Sequence, residues 1–327
     1  MQALTQLADT HLEDALSRYD IGQLQRYWPA SNGIENSNYF VTTDHNHRLR
    51  QFVLTIMEQP ANAGEAYVGM MDKLFEGGLP VAPPIRNLAD QAVEDVCGKP
   101  AMLQPRLGGH HVCNPTKKQI GAIARFVARM HLQMQMSDIN LPDYPRDRLW
   151  LAERSQLTKG YLDHTRATVL TDAVQQIDSL LSRNDVQRLP QGMIHGDLFR
   201  DNVLFNEHGL SGVLDFHHAA HGYWIYDLAV VANDWCTDAS GLLDAERATA
   251  MLKAYHEIRP LEDAELWFFS SFCLYAGLTF WLSRLTVALQ QQHAQPLRFK
   301  NPEEFQRIVA QHQRHGFYLD PRALTSL

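Results

Sequence analysis

Cysteine is scarce in this chain: Cys97, Cys113, Cys236 and Cys273 are the only four in 327 residues, and none forms a C-x-x-C pair. That argues against a disulfide framework, and with no basic segment leading into an apolar run at the start, a reducing cytoplasm is the expected compartment. Positive charge is also short, with 29 Lys and Arg against 37 Asp and Glu, a net charge of -8 and a pI near 6.0. Nucleic acids and anionic membranes are held by clustered cations, so neither is expected as the main partner. Uninterrupted apolar runs are missing as well: the longest uncharged stretch, Leu266 to Ser283, is broken by Ser270, Ser271, Gly277 and Thr279. It reads as a buried helix, since a membrane span needs about 20 apolar residues. Histidines cluster at His217-His218-Ala219-Ala220-His221 and at His110-His111 near Cys113, but without paired ligands at structural-zinc spacing. There are no repeats or low-complexity tracts, and no G-x-G-x-x-G.

What the chain has is 45% hydrophobic residues and enough length for two domains with real cores. Residues Ala3 to Tyr19 carry apolar positions at helical spacing. Leu24 to Trp28, Tyr39 to Thr43, Leu49 to Met57 and Lys99 to Gln104 lean towards strands and predict a small antiparallel sheet. A helix over Ala63 to Phe75, stopped by Gly77-Gly78, interrupts them. Beyond Pro105-Arg106-Leu107-Gly108-Gly109 the pattern turns helical: Thr116 to Met136, Leu149 to Lys159, Ala167 to Arg183, Ala245 to Ile258, Asp263 to Leu289 and Pro302 to Gln313. The expected organisation is therefore α+β, with a sheet lobe over 1–104, a hinge at 105–109 and a helical lobe over 110–327.

One passage carries chemistry. From His195 to Phe216 the chain reads HGDLFRDNVLFNEHGLSGVLDF, so that His195, Asp197 and Asn202 stand as H-x-D-x-x-x-x-N and Asp215 follows a hairpin pattern. In phosphoryl transfer of the protein-kinase type, the first Asp takes the proton of the attacking hydroxyl, the Asn holds a magnesium ion, and a later Asp at a strand end bridges magnesium to the phosphates. Between the first strands, Gly33, Ser37 and Asn38 offer donors in a tight turn that can cradle phosphate oxygens, although an ordinary Asn-rich turn reads the same way.

With these elements in order, the chain resembles the aminoglycoside-phosphotransferase-like family of small-molecule kinases, and more closely its bacterial homoserine kinases. The resemblance runs over the whole length, on Glu35-Asn36-Ser37-Asn38-Tyr39-Phe40-Val41, Phe52-Val53-Leu54-Thr55, Leu103-Gln104-Pro105-Arg106-Leu107, the His195 to Phe205 stretch, Tyr226-Asp227-Leu228-Ala229 and Asn233-Asp234-Trp235-Cys236. It implies a two-lobed protein-kinase-like fold using ATP and Mg2+. Asp197 is then the catalytic base, with Asn202 and Asp215 the magnesium ligands. Residues Gly33 through Asn38, including Asn36 and Ser37, cover the phosphates, Gln104, Arg106 and Leu107 meet the adenine, and Asp227 anchors the catalytic loop. One departure stands out: Thr55 occupies the place of the strand lysine that pairs with phosphates in most kinases.

The implied acceptor, L-homoserine, carries an ammonium, a carboxylate and a hydroxyl. Asp234 is the candidate for the ammonium and Arg148 and Arg200 for the carboxylate, each arginine also reading as a solvated charge; His217 would line a polar pocket beside Asp215. Two alternatives stay open. One is a same-fold kinase for a choline-like amine or an aminoglycoside, the other a catalytically silent nucleotide-binding protein.

Overall fold

The computed structural model describes residues 5–30, 36–58, 64–290 and 300–325. The chain divides into two compact units, one of Met1–Gly109 with Ser211–His217 and the other of His110–Leu210 with His218–Leu327. Ser211–His217, inside the 110–327 span of the linear division, thus groups with the first unit.

In the first unit, β1 (Gln23–Pro29), β2 (Ser37–His45), β3 (Arg48–Ile56), β4 (Glu94–Val96) and β5 (Lys99–Pro105) form one antiparallel sheet in the order β1-β2-β3-β5-β4. The β2–β3 turn is Asn46-His47, both left-handed at φ 55° and 62°, the backbone that matches the twist of a tight hairpin. Alternate strand residues face one way: Tyr39 and Val41 of β2 with Phe52, Leu54 and Ile56 of β3 close over Leu12, Ala15 and Leu16 of α1 (Asp9–Ser17). This helix starts later than its apolar spacing suggests. The backbone before it is tied to the sheet instead, the Leu7 N–H donating to the Tyr39 hydroxyl (3.1 Å) and that hydroxyl to the Thr5 carbonyl (2.7 Å). The second helix, α2 (Glu65–Glu76), buries Tyr67, Val68, Met70, Met71 and Leu74. The short β4 escapes a sequence reading because three residues carry no measurable period.

The second unit is built on helices: α3 (Lys117–Gln135), α4 (Arg148–Lys159), α5 (His164–Leu181), α6 (Asn184–Gln187), α7 (Trp224–Trp235), α8 (Ala245–His256), α9 (Asp263–Gln290), α10 (Pro302–Arg314) and α11 (Arg322–Thr325). Side-chain caps fix where several begin, with Thr116, Asp147, Asp163, Asp244 and Asn301 each accepting a backbone N–H of the first turn. At the centre lies α9, packed by α4, α5, α7 and α10. It is long and apolar enough to cross a membrane, yet 72% of its most apolar window is buried inside the protein, which is how a core helix behaves. Between helices, β6 (Gln191–Ile194) pairs antiparallel with β9 (Ala220–Tyr223), and β7 (Val203–Asn206) and β8 (Gly209–Val213) follow one another as a hairpin.

Candidate active site

In the second unit the catalytic stretch leaves β6 at His195, turns at Gly196, and passes through a short 3-10 turn at Arg200–Asn202 into β7. Gly196 is left-handed at φ 77°, which lets two successive backbone N–H groups face one acceptor. That acceptor is Asp227 of α7, fully buried, whose Oδ2 and Oδ1 receive the His195 and Gly196 N–H groups, each at 2.8 Å. A buried carboxylate needs such partners. Its third is His131 of α3, whose Nε2 lies 3.0 Å from Asp227 Oδ2 while Nδ1 lies 2.8 Å from the Tyr255 hydroxyl. Burial holds the His131 imidazole below its ordinary pKa despite the carboxylate. A carboxylate only accepts, so Nε2 donates to Asp227.

Asp197 and Asn202 meet: the Asn202 Nδ2 donates to the Asp197 carbonyl (2.8 Å) and to its Oδ2 (2.9 Å). The amide thereby orients the carboxylate and turns its own oxygen the other way. Two further ties run from α7. Trp235 Nε1 donates to the Leu198 carbonyl at 3.0 Å, and Asp234 takes the Arg200 backbone N–H at 2.7 Å and its Nε and Nη2 at 3.1 Å. Asp227 and Asp234 are seven residues apart, two helical turns, so one helix face clamps the loop at both ends.

The candidate substrate residues accordingly have other work. The sequence reading sends Asp234 to an ammonium and Arg200 to a carboxylate; in the structure they bind each other, and Arg200 also donates from Nη1 to the Cys113 carbonyl at 2.5 Å. Burial draws the Arg200 pKa down, but Asp234 outweighs it and leaves the guanidinium above its ordinary value and charged. Arg148 opens α4 and pairs with Asp178 of α5 through Nε (2.8 Å) and Nη2 (2.7 Å), an exposed contact.

In the first unit Asp215 is left-handed at φ 60°, a conformation that Asp tolerates better than most residues and that recurs at functional sites. Its neighbour His217 stacks on Tyr67 of α2, ring centroids 5.2 Å apart and 5° from parallel. Burial raises the Tyr67 hydroxyl pKa, the Asp215 charge raises it further, and a hydrogen bond from Gln104 opposes both. Asp215, His217, Tyr67 and Gln104 are thus neighbours. Gln104 also donates to the Ala82 carbonyl at 2.6 Å. Arg106 lies over the Phe40 ring, 4.4 Å to its centroid, and Leu107 is half-buried.

Of the expected phosphate-covering residues, Gly33 lies outside the described residues. The side chains of the other three are used within the fold. Asn36 Oδ1 accepts the Glu58 N–H (3.3 Å), Ser37 Oγ donates to Glu58 Oε1 (2.5 Å), and Asn38 Oδ1 accepts the Thr55 hydroxyl (2.7 Å). Asn38 and Thr55 are cross-strand partners, so a neutral hydrogen bond occupies the lysine position. A lysine missed in the sequence reaches the start of β2 from another strand: Lys99 of β5 pairs with Glu58 and donates to Thr5 Oγ1 at 2.8 Å. Burial alone would raise the Glu58 pKa, but hydrogen bonds from Lys99, Ser37 and Thr5 bring it below its ordinary value.

Residues 27–261 match the profile of the Phosphotransferase enzyme family. The homoserine kinase of Pseudomonas aeruginosa is 35% identical over 322 residues, covering 98% of this chain and 99% of that protein. That of Methylobacillus flagellatus is 35% identical over 310 residues, covering 94% of each. Among solved structures, an amicoumacin kinase in complex with AMP-PNP and Ca2+ superposes with a TM-score of 0.65 at 17% identity, over 92% of this chain and 94% of that one. A microcompartment-associated aminopropanol kinase gives 0.66 at 16% identity, over 94% of each. At these identities the likeness is one of fold, α+β and protein-kinase-like.

Proposed function

The chain belongs to the phosphotransferase enzyme family, and from that premise we propose that it transfers the γ-phosphoryl group of ATP to the hydroxyl of L-homoserine, giving O-phospho-L-homoserine for threonine synthesis. The observation that carries the transfer chemistry is the Asp197–Asn202 pair, with Asp197 Oδ2 2.9 Å from an amide that orients it on a loop clamped by α7. The acceptor follows from identity with homoserine kinases over nearly the full length of both chains.

In this reading Asp197 accepts the hydroxyl proton as the oxygen attacks phosphorus, and its fixed orientation supplies most of the advantage, because phosphoryl transfer is catalysed chiefly by positioning and charge stabilisation. Asn202 and Asp215 would hold Mg2+, which suits hard oxygen donors and takes few ligands from the protein. Bound there, Mg2+ would neutralise charge on the phosphate oxygens. Gln104, Arg106 and Leu107 would meet the adenine, His217 would line the pocket beside Asp215, and Gly33, Asn36, Ser37 and Asn38 would cover the phosphates. The acceptor is a small molecule.

The test is ADP release with Mg-ATP against L-homoserine, L-serine, L-threonine, choline and an aminoglycoside, with product mass. Selective turnover of homoserine is expected. Selective turnover of another acceptor keeps the catalytic loop and discards the substrate; no turnover with any acceptor discards the reading.

A further inference from the structure

Resting on the homoserine reading, we infer that Arg146 receives the acceptor's α-carboxylate and so makes the enzyme specific for an amino-acid alcohol over a plain amino alcohol. Arg200 is held by Asp234 and Arg148 lies in an exposed pair with Asp178; a third guanidinium stands two residues from Tyr144, whose ring packs on the catalytic loop at Gly196.

The stretch ahead of α4 supplies that group. Backbone bonds lock it against β9, with the Tyr144 N–H donating to the His221 carbonyl and the His221 N–H to the Pro142 carbonyl, both at 2.8 Å. Asp147 then caps α4 by accepting the Trp150 N–H at 2.9 Å, so Arg146 lies between two fixed points. The Tyr275 hydroxyl of α9 donates to the Arg146 carbonyl at 2.7 Å. The half-buried guanidinium lies over Phe280, 5.2 Å to the ring centroid, and Trp150, 5.9 Å. Stacking on aromatic faces fixes the plane of a guanidinium and presents its edge as the fork that matches a carboxylate.

Tyr144 links this group to the catalytic loop. Its hydroxyl lies 2.7 Å from that of Tyr226, the residue before Asp227, and its ring lies so close to Gly196 that a Cβ there would come within 3.4 Å of Cε2. Burial raises the Tyr144 pKa, Arg146 draws it down through charge and a hydrogen bond, and the Asp197 charge raises it. Both charged groups therefore act on one phenol. Homoserine is only four carbons long, so an acceptor whose hydroxyl meets Asp197 keeps its carboxylate close to the catalytic loop on which Tyr144 packs.

The test compares L-homoserine with 3-aminopropan-1-ol, which has the same amine and hydroxyl but no carboxylate, in wild type, Arg146→Met and Arg146→Lys, with ATP affinity and thermal midpoint as folding controls. Each acceptor is measured by turnover or, where turnover is undetectable, by competitive inhibition. Removing one side of a bidentate charged contact is expected to cost Arg146→Met about 100-fold or more in kcat/KM for homoserine, mostly through KM, and under about threefold for the amino alcohol. Arg146→Lys keeps the charge but loses the fork, and about tenfold in homoserine KM is expected; should Arg146→Met not fold, this variant carries the test. Equal losses for both acceptors, or unchanged homoserine kinetics, overturn the inference. A wild type that does not phosphorylate homoserine overturns the functional reading and takes this inference with it, a result visible before any variant is made.

Discussion

Arg200 and Asp234 hold each other through three hydrogen bonds, one from the Arg200 backbone N–H and two from its guanidinium, all between 2.7 and 3.1 Å. Since Arg200 lies between Asp197 and Asn202, the pair fixes the stretch on which the proposed chemistry depends.

Asp234→Asn leaves the guanidinium without its counter-charge and is expected to cost about 2 kcal/mol in urea unfolding. The turnover number should fall about tenfold, because a loosened loop no longer presents Asp197 correctly, while KM for homoserine changes less than threefold. A selective rise in homoserine KM at unchanged stability would instead return Asp234 to the ammonium of the acceptor.

Acid should weaken the second unit through two buried histidines. Burial pushes His312, bonded to Asn233 Oδ1 at 2.7 Å, down to about 4, and holds His131 below its ordinary value. A lowered folded-state pKa means that the unfolded chain binds protons first. Stability is therefore complete above the ordinary histidine pKa of 6.5 and falls as pH drops from there towards 4. His312 alone would contribute about 3 kcal/mol to the loss, from the shift of 6.5 to about 4. Unfolding free energies measured between pH 7.5 and pH 4.5 check this, and the dependence should flatten in His312→Gln.

Restoring the strand lysine should not help. Thr55 is 5% exposed and bonded to Asn38, so Thr55→Lys buries a cation beside a neutral amide and overfills the site. A loss of about 3 kcal/mol is expected, with no gain in kcat/KM for ATP. Thermal unfolding and steady-state kinetics of the variant measure both.

The sequence exposed what is local in it. The spacing of Asp197 and Asn202 could be read because the chemistry needs both within one short loop, and most helices of the second unit show an amphipathic period or a capping residue. The helix α7 does not: eleven of its twelve residues are buried, so no polar face marks it, and the helix that clamps the catalytic loop is not legible in the sequence although Asp227 is. Lys99 and Glu58 are 41 positions apart, and His131 and Asp227 are 96 apart; no local pattern connects such pairs. Arg148 reads in the sequence as a carboxylate partner because arginine offers a bidentate fit, but it lies in an exposed ion pair with Asp178, whereas Arg146, two residues earlier, is turned onto aromatic faces by contacts that only the folded chain brings together.

The most direct measurement is the ATP-dependent phosphorylation of L-homoserine by wild type and by Asp197→Asn, with nucleotide affinity measured on both. Turnover by wild type, a fall of about 1,000-fold or more in kcat for the variant and an ATP Kd unchanged within about threefold are expected. An Asp197→Asn protein that turns over at the wild-type rate would contradict the assignment of Asp197 as the base, and a wild type inert towards homoserine would contradict the function itself.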